Sequence, residues 1–170
     1  LTNVNLPDRS LVNVIFNLPN TELLQQATVM MMELYRNQQT VLYDPSKPEL
    51  GAYIEKLISE DPSHQRTYRM WLAELAWGRN DLDTFRTYAD QSLNPDMELF
   101  GPVDDNIDPS AKLRTMYYLT EDAWRDGDLG KAREICAAVI QGHLLELSDA
   151  YPPLRKLVRR VVFALKEAQS

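Results

Sequence analysis

The sequence is poor in the side chains from which metal and redox sites are built. It contains one cysteine and two histidines among 170 residues, which rules out an intramolecular disulfide and argues against a transition-metal site. The cysteine, Cys136, lies beside Ile135 and Val139 on an apolar helix face, which predicts a reduced, buried thiol. His64 and His143 have no second histidine at helical spacing, and we expect both at the surface near helix ends.

Motifs for nucleotide binding and nucleophilic catalysis are also missing. The chain has no GxSxG elbow, no GxGxxG fingerprint and no GxxxxGKS or GxxxxGKT loop, and Ser63 and Ser110 stand where helices are expected to begin. Asp126-Gly127-Asp128 does not open a calcium loop, because Arg133 stands where that loop needs an acid. We therefore predict a protein that is not an enzyme and binds no cofactor or metal.

Long hydrophobic runs and a net positive charge are both absent. No apolar stretch approaches the roughly 20 residues that a membrane-spanning helix needs, and the net charge of −7 would repel nucleic acids and anionic membranes. We expect a soluble, cytoplasmic protein; the chain starts at Leu1, and a cleaved leader or anchor would leave no trace in it. Residues 151–170 are an exception to this negative charge, because their five basic residues and one acid give a net charge of +4. Residues 1–150 therefore carry −11.

Apolar residues recur at steps of three and four along most of the chain, the spacing of a buried helix face. This pattern predicts an all-α fold of about seven to eight helices. The ambiguous stretch is Leu11–Leu18, whose β-branched residues suit a strand while Pro7 and Asp8 ahead of it suit a helix start, and we favour a short helix. The seven clear stripes cover residues 23–34, 50–57, 68–76, 82–93, 113–124, 129–140 and 154–165.

Proline, glycine and asparagine mark the ends of the predicted helices. Asp61-Pro62 and Asp108-Pro109 each offer a carboxylate to cap backbone N–H groups, followed by proline at the first helical position. Asn80 and Gly127 best tolerate the left-handed backbone of a tight turn between helices. Tyr151-Pro152-Pro153 disfavours helix just before the last segment. Together these residues predict helix hairpins with short turns.

The centre of the chain contains an internal repeat. Residues 61–93 and 108–140 align without a gap at an offset of 47, with ten of 33 positions identical. Both capping and packing residues recur, and a repeated helix hairpin is the unit of a solenoid, because one hairpin cannot cover its own apolar face. The identities include Asp61/Asp108, Pro62/Pro109, Ser63/Ser110, Leu72/Leu119, Glu74/Glu121, Ala76/Ala123, Trp77/Trp124, Asp81/Asp128 and Leu82/Leu129.

The two copies resemble the tetratricopeptide family of helical repeats. In the second copy the matching residues are Leu119-Thr120, Ala123, Gly127-Asp128-Leu129, Ala132 and Val139-Ile140. The first copy is looser, with Phe85 where the family has alanine and Ala89 where it has an aromatic residue. The resemblance implies a right-handed array of antiparallel helix hairpins. The period of 47 residues exceeds the family's usual repeat, and the excess lies in the linker at residues 94–107.

In tetratricopeptide proteins the inward-facing positions of each first helix line a concave groove that binds peptides, and the resemblance implies such a groove here. Trp77 and Trp124 would anchor a partner, and Glu74 and Glu121 would favour a basic one. The alternative is that the tryptophans only pack against the adjacent helix while the glutamates are solvated. The implied groove residues are Thr67, Met70, Glu74, Trp77, Arg114, Tyr117, Glu121 and Trp124.

The linker ends in a run of acids whose spacing resembles the Mg²⁺ motif of isoprenoid-diphosphate enzymes. The run contains Asp104, Asp105 and Asp108. We interpret it as a solvated loop, because Pro102 and Pro109 bracket it and Asp108 already serves as a helix cap. The alternative is a weak divalent-cation site and, with it, an all-α metal-dependent enzyme.

The last segment is a basic amphipathic helix. Its apolar face needs covering, because burying one such side chain is worth roughly 1.5–3 kcal/mol, so we favour a helix that caps the array. The alternative is a docking patch for an acidic partner or a phosphate backbone, which would make the protein a nucleic-acid-associated regulator. The apolar face consists of Leu154, Leu157, Val158, Val161 and Leu165, and the bases are Arg155, Lys156, Arg159, Arg160 and Lys166.

These observations predict one all-helical domain over residues 1–170. Its predicted function is that of a non-enzymatic scaffold, adaptor or regulatory module that binds a protein or peptide. Its predicted parts are N-terminal helices at 1–60, repeats at 61–93 and 108–140, the acidic linker at 94–107 and the capping helix at 151–169.

Overall fold

The computed structural model describes residues 20–37, 48–92, 107–108, 110–141 and 151–168. These residues form seven α-helices and a short 3-10 helix with no strand, so the all-α prediction is confirmed for them. None of the described helices is long and apolar enough to cross a membrane. The stretch Leu11–Leu18, for which a short helix was predicted, lies outside the described residues. The helices are α1 Thr21–Arg36, α2 Pro48–Glu60, the 3-10 helix Pro62–His64, α3 Gln65–Gly78, α4 Leu82–Ser92, α5 Ala111–Arg125, α6 Leu129–Gln141 and α7 Pro152–Ala168.

Helices that are neighbours along the chain are neighbours in space. α1 packs on α2 and α2 on α3, while α3 pairs with α4 and α5 pairs with α6. The first helices of the two pairs also contact each other, since α3 packs on α5. α7 packs on both α5 and α6. The pair α3–α4 therefore lies between the N-terminal helices and the pair α5–α6.

Buried residues from all seven helices form one apolar core. Trp71 of α3 and Phe85 of α4 are among its largest fully buried side chains. Cys136 of α6 joins this core with 2% of its surface exposed, as the sequence predicts, and burial raises the pKa of its thiol to about 11. The thiol is therefore protonated and unreactive at neutral pH.

The apolar face of α7 is buried against α5 and α6. The fully or nearly buried side chains on this face are Leu154, Leu157, Val158 and Val161. The opposite face carries most of the basic residues of the helix and is exposed. α7 therefore belongs to the packed body of the protein.

The turns between α3 and α4 and between α5 and α6 have the same hydrogen bonds. Asn80 (φ 60°) and Gly127 (φ 76°) both adopt the left-handed conformation, as the sequence predicts. In the first turn the N–H of Asn80 donates to the carbonyl of Trp77, and in the second the N–H of Gly127 donates to the carbonyl of Trp124. One residue later, Asp81 and Asp128 donate to Ala76 and Ala123, each at 2.9 Å. This pair of bonds is the Schellman helix ending, which occurs at an offset of 47 residues in both copies.

Three helix starts differ in part from the prediction. Asp61 precedes the 3-10 helix, but its side chain makes no capping bond to the backbone, so that prediction is wrong. Asp108 does accept the backbone N–H of Ser110, at 3.2 Å, but α5 begins at Ala111 with Ser110 at the N-cap, two residues later than predicted. α7 begins at Pro152, although a proline pair there was expected to disfavour helix. Proline fits, because the first residues of a helix need no backbone N–H donor and the fixed φ of proline is already helical.

Candidate functional site

Three of the four groove positions predicted on α3 lie inside the protein. Thr67, Met70 and Glu74 are 3%, 4% and 3% exposed, whereas Trp77 keeps part of its surface accessible. A partner that binds this face of α3 would therefore reach Trp77 and not the other three. The burial of Glu74 also differs from the solvated state that the packing alternative expected.

Glu74 is held by an arginine of α1. Arg36 donates from Nε to Oε2 of Glu74 at 2.9 Å and from Nη2 to Oε1 at 2.7 Å. The same Nη2 lies 2.7 Å from Oδ2 of Asp108, just before α5. The three charged side chains are between 4% and 10% exposed. One guanidinium therefore connects α1, α3 and the start of α5.

Sequence analysis did not identify Arg36, although its position carried a signal. It stands four residues after Met32, which is 1% exposed, and so continues the buried stripe of α1. A charge on a buried stripe needs a buried partner, because an unpaired charge in the interior is costly. The periodicity of α1 indicates that Arg36 points inward. The sequence of α1 does not indicate that Glu74 and Asp108 are its ion-pair partners.

Asp108 accepts hydrogen bonds on both of its oxygens. Trp71 donates from Nε1 to Oδ2 at 2.7 Å, and Ser110 donates its hydroxyl to Oδ1 at 2.9 Å. Burial by itself would raise the pKa of Asp108, but attraction to Arg36 and the hydrogen bonds from Arg36, Trp71 and Ser110 outweigh it and lower the pKa. Asp108 is therefore a charged structural residue whose oxygens face protein donors.

Trp77 packs in an aromatic cluster formed by α3, α4 and α5. Its ring stacks on Tyr118 and meets Phe85 edge-on, with 5.1 Å between ring centroids in each pair. The guanidinium of Arg125 lies 5.3 Å from its ring centroid. Trp77 therefore makes the contacts with adjacent helices that the packing alternative describes, and only part of its ring remains for a partner.

The four groove positions predicted on α5 are all partly accessible. Two of them contact Tyr151, which stands just before α7. The Tyr151 ring lies 5.5 Å from that of Tyr117, and the guanidinium of Arg114 lies 4.6 Å from the Tyr151 ring centroid. Sequence analysis did not identify Tyr151, because its contacts depend on where α7 returns to α5.

The other two groove positions on α5 lie beside the C-terminal end of the helix. Arg160 of α7 lies 5.5 Å from the ring centroid of Trp124. Oε1 of Glu121 accepts from Nε of Arg125 at 3.2 Å, and the Glu121 side chain is 13% exposed. Oε2 of Glu121 is buried and accepts no hydrogen bond within the described part of the chain.

The two tryptophans of the repeated hairpin therefore have similar surroundings, whereas the two glutamates have different hydrogen-bond partners. A guanidinium from a neighbouring helix lies over each tryptophan, Arg125 of α5 over Trp77 of α3 and Arg160 of α7 over Trp124 of α5. The glutamate of the first copy is fully paired by Arg36, whereas one oxygen of the glutamate of the second copy has no donor among the described residues. The second copy is thus the half of the predicted groove that still has an unmet hydrogen-bonding capacity.

A cavity of about 260 Å³ lies beside Arg36. Arg36 and Arg114 contribute positive charge to its wall, and Glu33 and Asp108 contribute negative charge. The two signs balance, and Arg36 and Asp108 already bind each other. The cavity therefore has no evident preference for an anion or a cation.

Asp61, Ser63 and His64 form a cluster with the residue types of a catalytic triad. Oγ of Ser63 donates to Oδ1 of Asp61 at 2.7 Å, and Nδ1 of His64 lies 2.6 Å from Oδ2 of Asp61. A triad places the serine and the acid on opposite nitrogens of the histidine ring. Here the Ser63 hydroxyl lies 3.2 Å from the same Nδ1, so the geometry is that of a local polar cluster at a helix start.

Asp104 and Asp105 of the acidic linker lie outside the described residues. Among the residues that the structure does describe, no group of three or more His, Cys, Asp or Glu side chains could hold a metal ion. The described member of the run, Asp108, is engaged by Arg36, Trp71 and Ser110.

No protein-family model, curated protein or solved structure matches the chain. The tetratricopeptide resemblance therefore rests on the residues that carry it and stays a prediction.

Proposed function

We propose that the chain is a non-enzymatic protein-interaction module whose helix hairpins stack as an antiparallel, right-handed array of the tetratricopeptide type. The identical turn geometry in the two copies and the contact between their first helices, α3 and α5, support the array. As a scaffold or adaptor, the module binds a peptide segment of its partner along the accessible face of α5.

The observation that carries this proposal is the unpaired carboxylate oxygen of Glu121. A buried acceptor without a donor costs about 1–3 kcal/mol. Glu74, at the equivalent position of the first copy, avoids this cost because Arg36 donates to both of its oxygens. In the proposed complex the Glu121 side chain, which is 13% exposed, turns its carboxylate outward, and an arginine or lysine of the partner pairs with it as Arg36 pairs with Glu74.

The surroundings of Glu121 suit a basic peptide. Trp124 is three residues further along α5, close to one helical turn, and Tyr117 is four residues back, so both rings lie on the same face as the carboxylate. Each ring is partly accessible, and tryptophan and tyrosine are common anchors at interfaces. A partner side chain with an apolar stem and a cationic end can contact the rings and Glu121 together.

An array of immobilised peptides that differ only in one central residue tests the proposal. We expect the full chain to bind peptides with a central arginine or lysine more tightly than the same peptides with alanine or glutamate. Glu121→Gln should reduce this preference, mainly at low salt, because it removes the charge. Trp124→Ala should weaken binding by at least about 1 kcal/mol, the usual scale of a hot-spot residue.

The matched control is Glu134→Gln, which removes one charge from an exposed position on α6. It should leave the preference for arginine and lysine unchanged. The proposal fails if Glu134→Gln and Glu121→Gln weaken binding equally, or if the wild-type chain does not distinguish arginine from alanine. If Trp124→Ala unfolds the protein, Glu121→Gln decides alone, because it changes one atom and keeps the shape of the side chain.

A further inference from the structure

The exposed large apolar side chains of the described residues lie on the first and last described helices. Leu23 and Met30 of α1 are 47% and 58% exposed, and Phe163 of α7 is 66% exposed. Single apolar residues on a surface are ordinary. They are confined to α1 and α7, with none described on α2 to α6. The exposed surfaces of α1 and α7 therefore differ from those of the other described helices.

The outer face of α1 combines its apolar residues with acids. Glu22, Gln26 and Glu33 are exposed with Leu23 and Met30, and the helical period of 3.6 residues places all five on one side. Glu22 and Glu33 stand at the two ends of this face. They are 11 residues apart, or about 16 Å along the helix axis. The face therefore presents an acid, an apolar centre and a second acid.

The outer face of α7 has the same layout with the opposite charge. Lys156, Arg159, Phe163 and Lys166 are exposed and share one side of the helix. Lys156 and Lys166 are 10 residues apart, or about 15 Å along the axis, with Phe163 between them. Glu167 borders this face, so the bases outnumber the acid. The face therefore presents a base, an aromatic centre and a second base.

We propose that these two faces bind each other between copies of the chain, with α7 of one copy docked on α1 of the next. Phe163 then lies between Leu23 and Met30, while the lysines at the ends of α7 meet the two glutamates of α1. The spacings of about 15 and 16 Å allow both ion pairs to form at once. The contact is heterologous, because two different surfaces meet, and it extends the row of helices from one copy into the next.

The distribution of charge along the chain favours a second copy of the chain as the binding partner. Residues 151–170 carry +4 and residues 1–150 carry −11, so opposite ends of two copies attract and steer each other during encounter. Two α7 faces would repel each other, which disfavours a symmetric contact through this helix. The same distribution disfavours a nucleic acid, because most of the surface would repel phosphate.

Sedimentation of complementary charge variants tests the proposal. We expect the mean mass of the wild-type chain to rise above 19.6 kDa with increasing concentration at about 0.1 M salt, and to fall back at about 1 M salt, where the screening length drops from about 10 to about 3 Å. The variant Glu22→Lys/Glu33→Lys and the variant Lys156→Glu/Lys166→Glu should each stay monomeric. An equimolar mixture of the two variants should associate again, because each face then meets its complement.

The control for charge alone is Glu55→Lys/Asp90→Lys, two exposed positions on α2 and α4, which should associate like the wild type. Phe163→Ser should weaken association without changing the fold. The proposal is overturned if the mixed variants stay monomeric, or if the α7 variant disrupts a dimer that the α1 variant leaves intact. It is also overturned if the wild type is monomeric and its α7 face instead gives salt-sensitive binding to DNA or RNA.

Discussion

Glu74 and Glu121 occupy the same position in the two copies of the hairpin, but their surroundings differ by one arginine. Arg36 neutralises Glu74 and makes it part of the interior, so this residue is unavailable to a partner. Within the described residues, the donor to Glu121 is Arg125, at the i, i+4 spacing, and the Arg125 side chain is 64% exposed. The difference arises because α1 packs beside the first copy and brings a guanidinium with it. Equivalent residues in a repeat can thus be fully paired in one copy and only partly paired in the next.

The left-handed turn residue of the second copy gives a test of local backbone geometry. Gly127 has a φ of 76°, where any Cβ is strained, so Gly127→Ala should lower the free energy of unfolding by about 1 kcal/mol or more. Gly127→Asn should cost less, because asparagine tolerates this conformation and already occupies it at Asn80. Urea unfolding followed by circular dichroism measures both changes.

Gly51 is the matched control for these substitutions. It lies within α2, and a Cβ added to it would meet nothing within 4 Å. Gly51→Ala should therefore raise the stability by up to about 1 kcal/mol, because alanine loses less backbone entropy on entering a helix. An equal loss of stability for alanine at residues 51 and 127 would contradict the assigned role of the turn.

α7 is the element for which the sequence allowed two interpretations, a helix packed by its apolar face and a basic docking patch. Its apolar stripe is buried against α5 and α6, as the favoured interpretation predicts. Proline at the first helical position gives the helix a defined start, and Tyr151 immediately before it contacts α5. The helix is therefore anchored along its length, and only its outer face remains for contact with another molecule.

Substitution within the buried stripe tests this packing. Leu157 is 1% exposed, so Leu157→Ala should cost about 2–5 kcal/mol through lost burial and the cavity that remains. Thermal unfolding monitored by tryptophan fluorescence gives the change. Lys156→Ala, at an exposed position one residue earlier, should stay within about 0.5 kcal/mol. Equal, small effects at both positions would mean that α7 is detached from the body in solution.

A buried ionic contact, in addition to the apolar core, connects helices of the molecule that are distant in the chain. Arg36 connects α1 to α3 and to the start of α5, which are far apart in the chain. Removing a buried partner leaves uncompensated charge in the interior, so Arg36→Met should cost about 3–5 kcal/mol at neutral pH. The loss should be measured as the free energy of unfolding in urea.

The pH dependence of that loss follows from the pKa of Asp108, which is lowered in the folded protein. Asp108 therefore stabilises the fold above its unfolded pKa of about 3.9, and this contribution is lost as the pH falls through the folded pKa. Without Arg36, burial raises the pKa of Asp108, and protonation then relieves the buried charge. The difference in the free energy of unfolding between wild type and Arg36→Met should therefore become smaller as the pH is lowered from about 7 to about 4.

Arg79→Met is the matched control for the arginine substitution. It removes a pair with Asp81 in which the two side chains are 32% and 43% exposed, and it should cost no more than about 1 kcal/mol. If Arg36→Met lowers the free energy of unfolding by the same amount at every pH, the arginine acts through packing alone.

The sequence by itself determined the features that depend on neighbours within a few residues. Helix periodicity comes from contacts three and four residues apart, which is why the seven helices could be predicted. The turns at Asn80 and Gly127 depend on the φ that each residue tolerates and on carbonyls in the preceding turn of helix. The burial of Cys136 follows from its place on an apolar stripe. All of these are local properties of the chain.

Only the tertiary structure decided that both oxygens of Glu74 are paired while one oxygen of Glu121 has no donor among the described residues. Glu74 and Glu121 are identical in type and in their place in the repeat, so no local signal distinguishes them. Their difference depends on Arg36, 38 residues before Glu74. Such contacts are set by how the apolar faces of whole helices stack, because that packing brings residues that are distant in the chain within hydrogen-bonding distance.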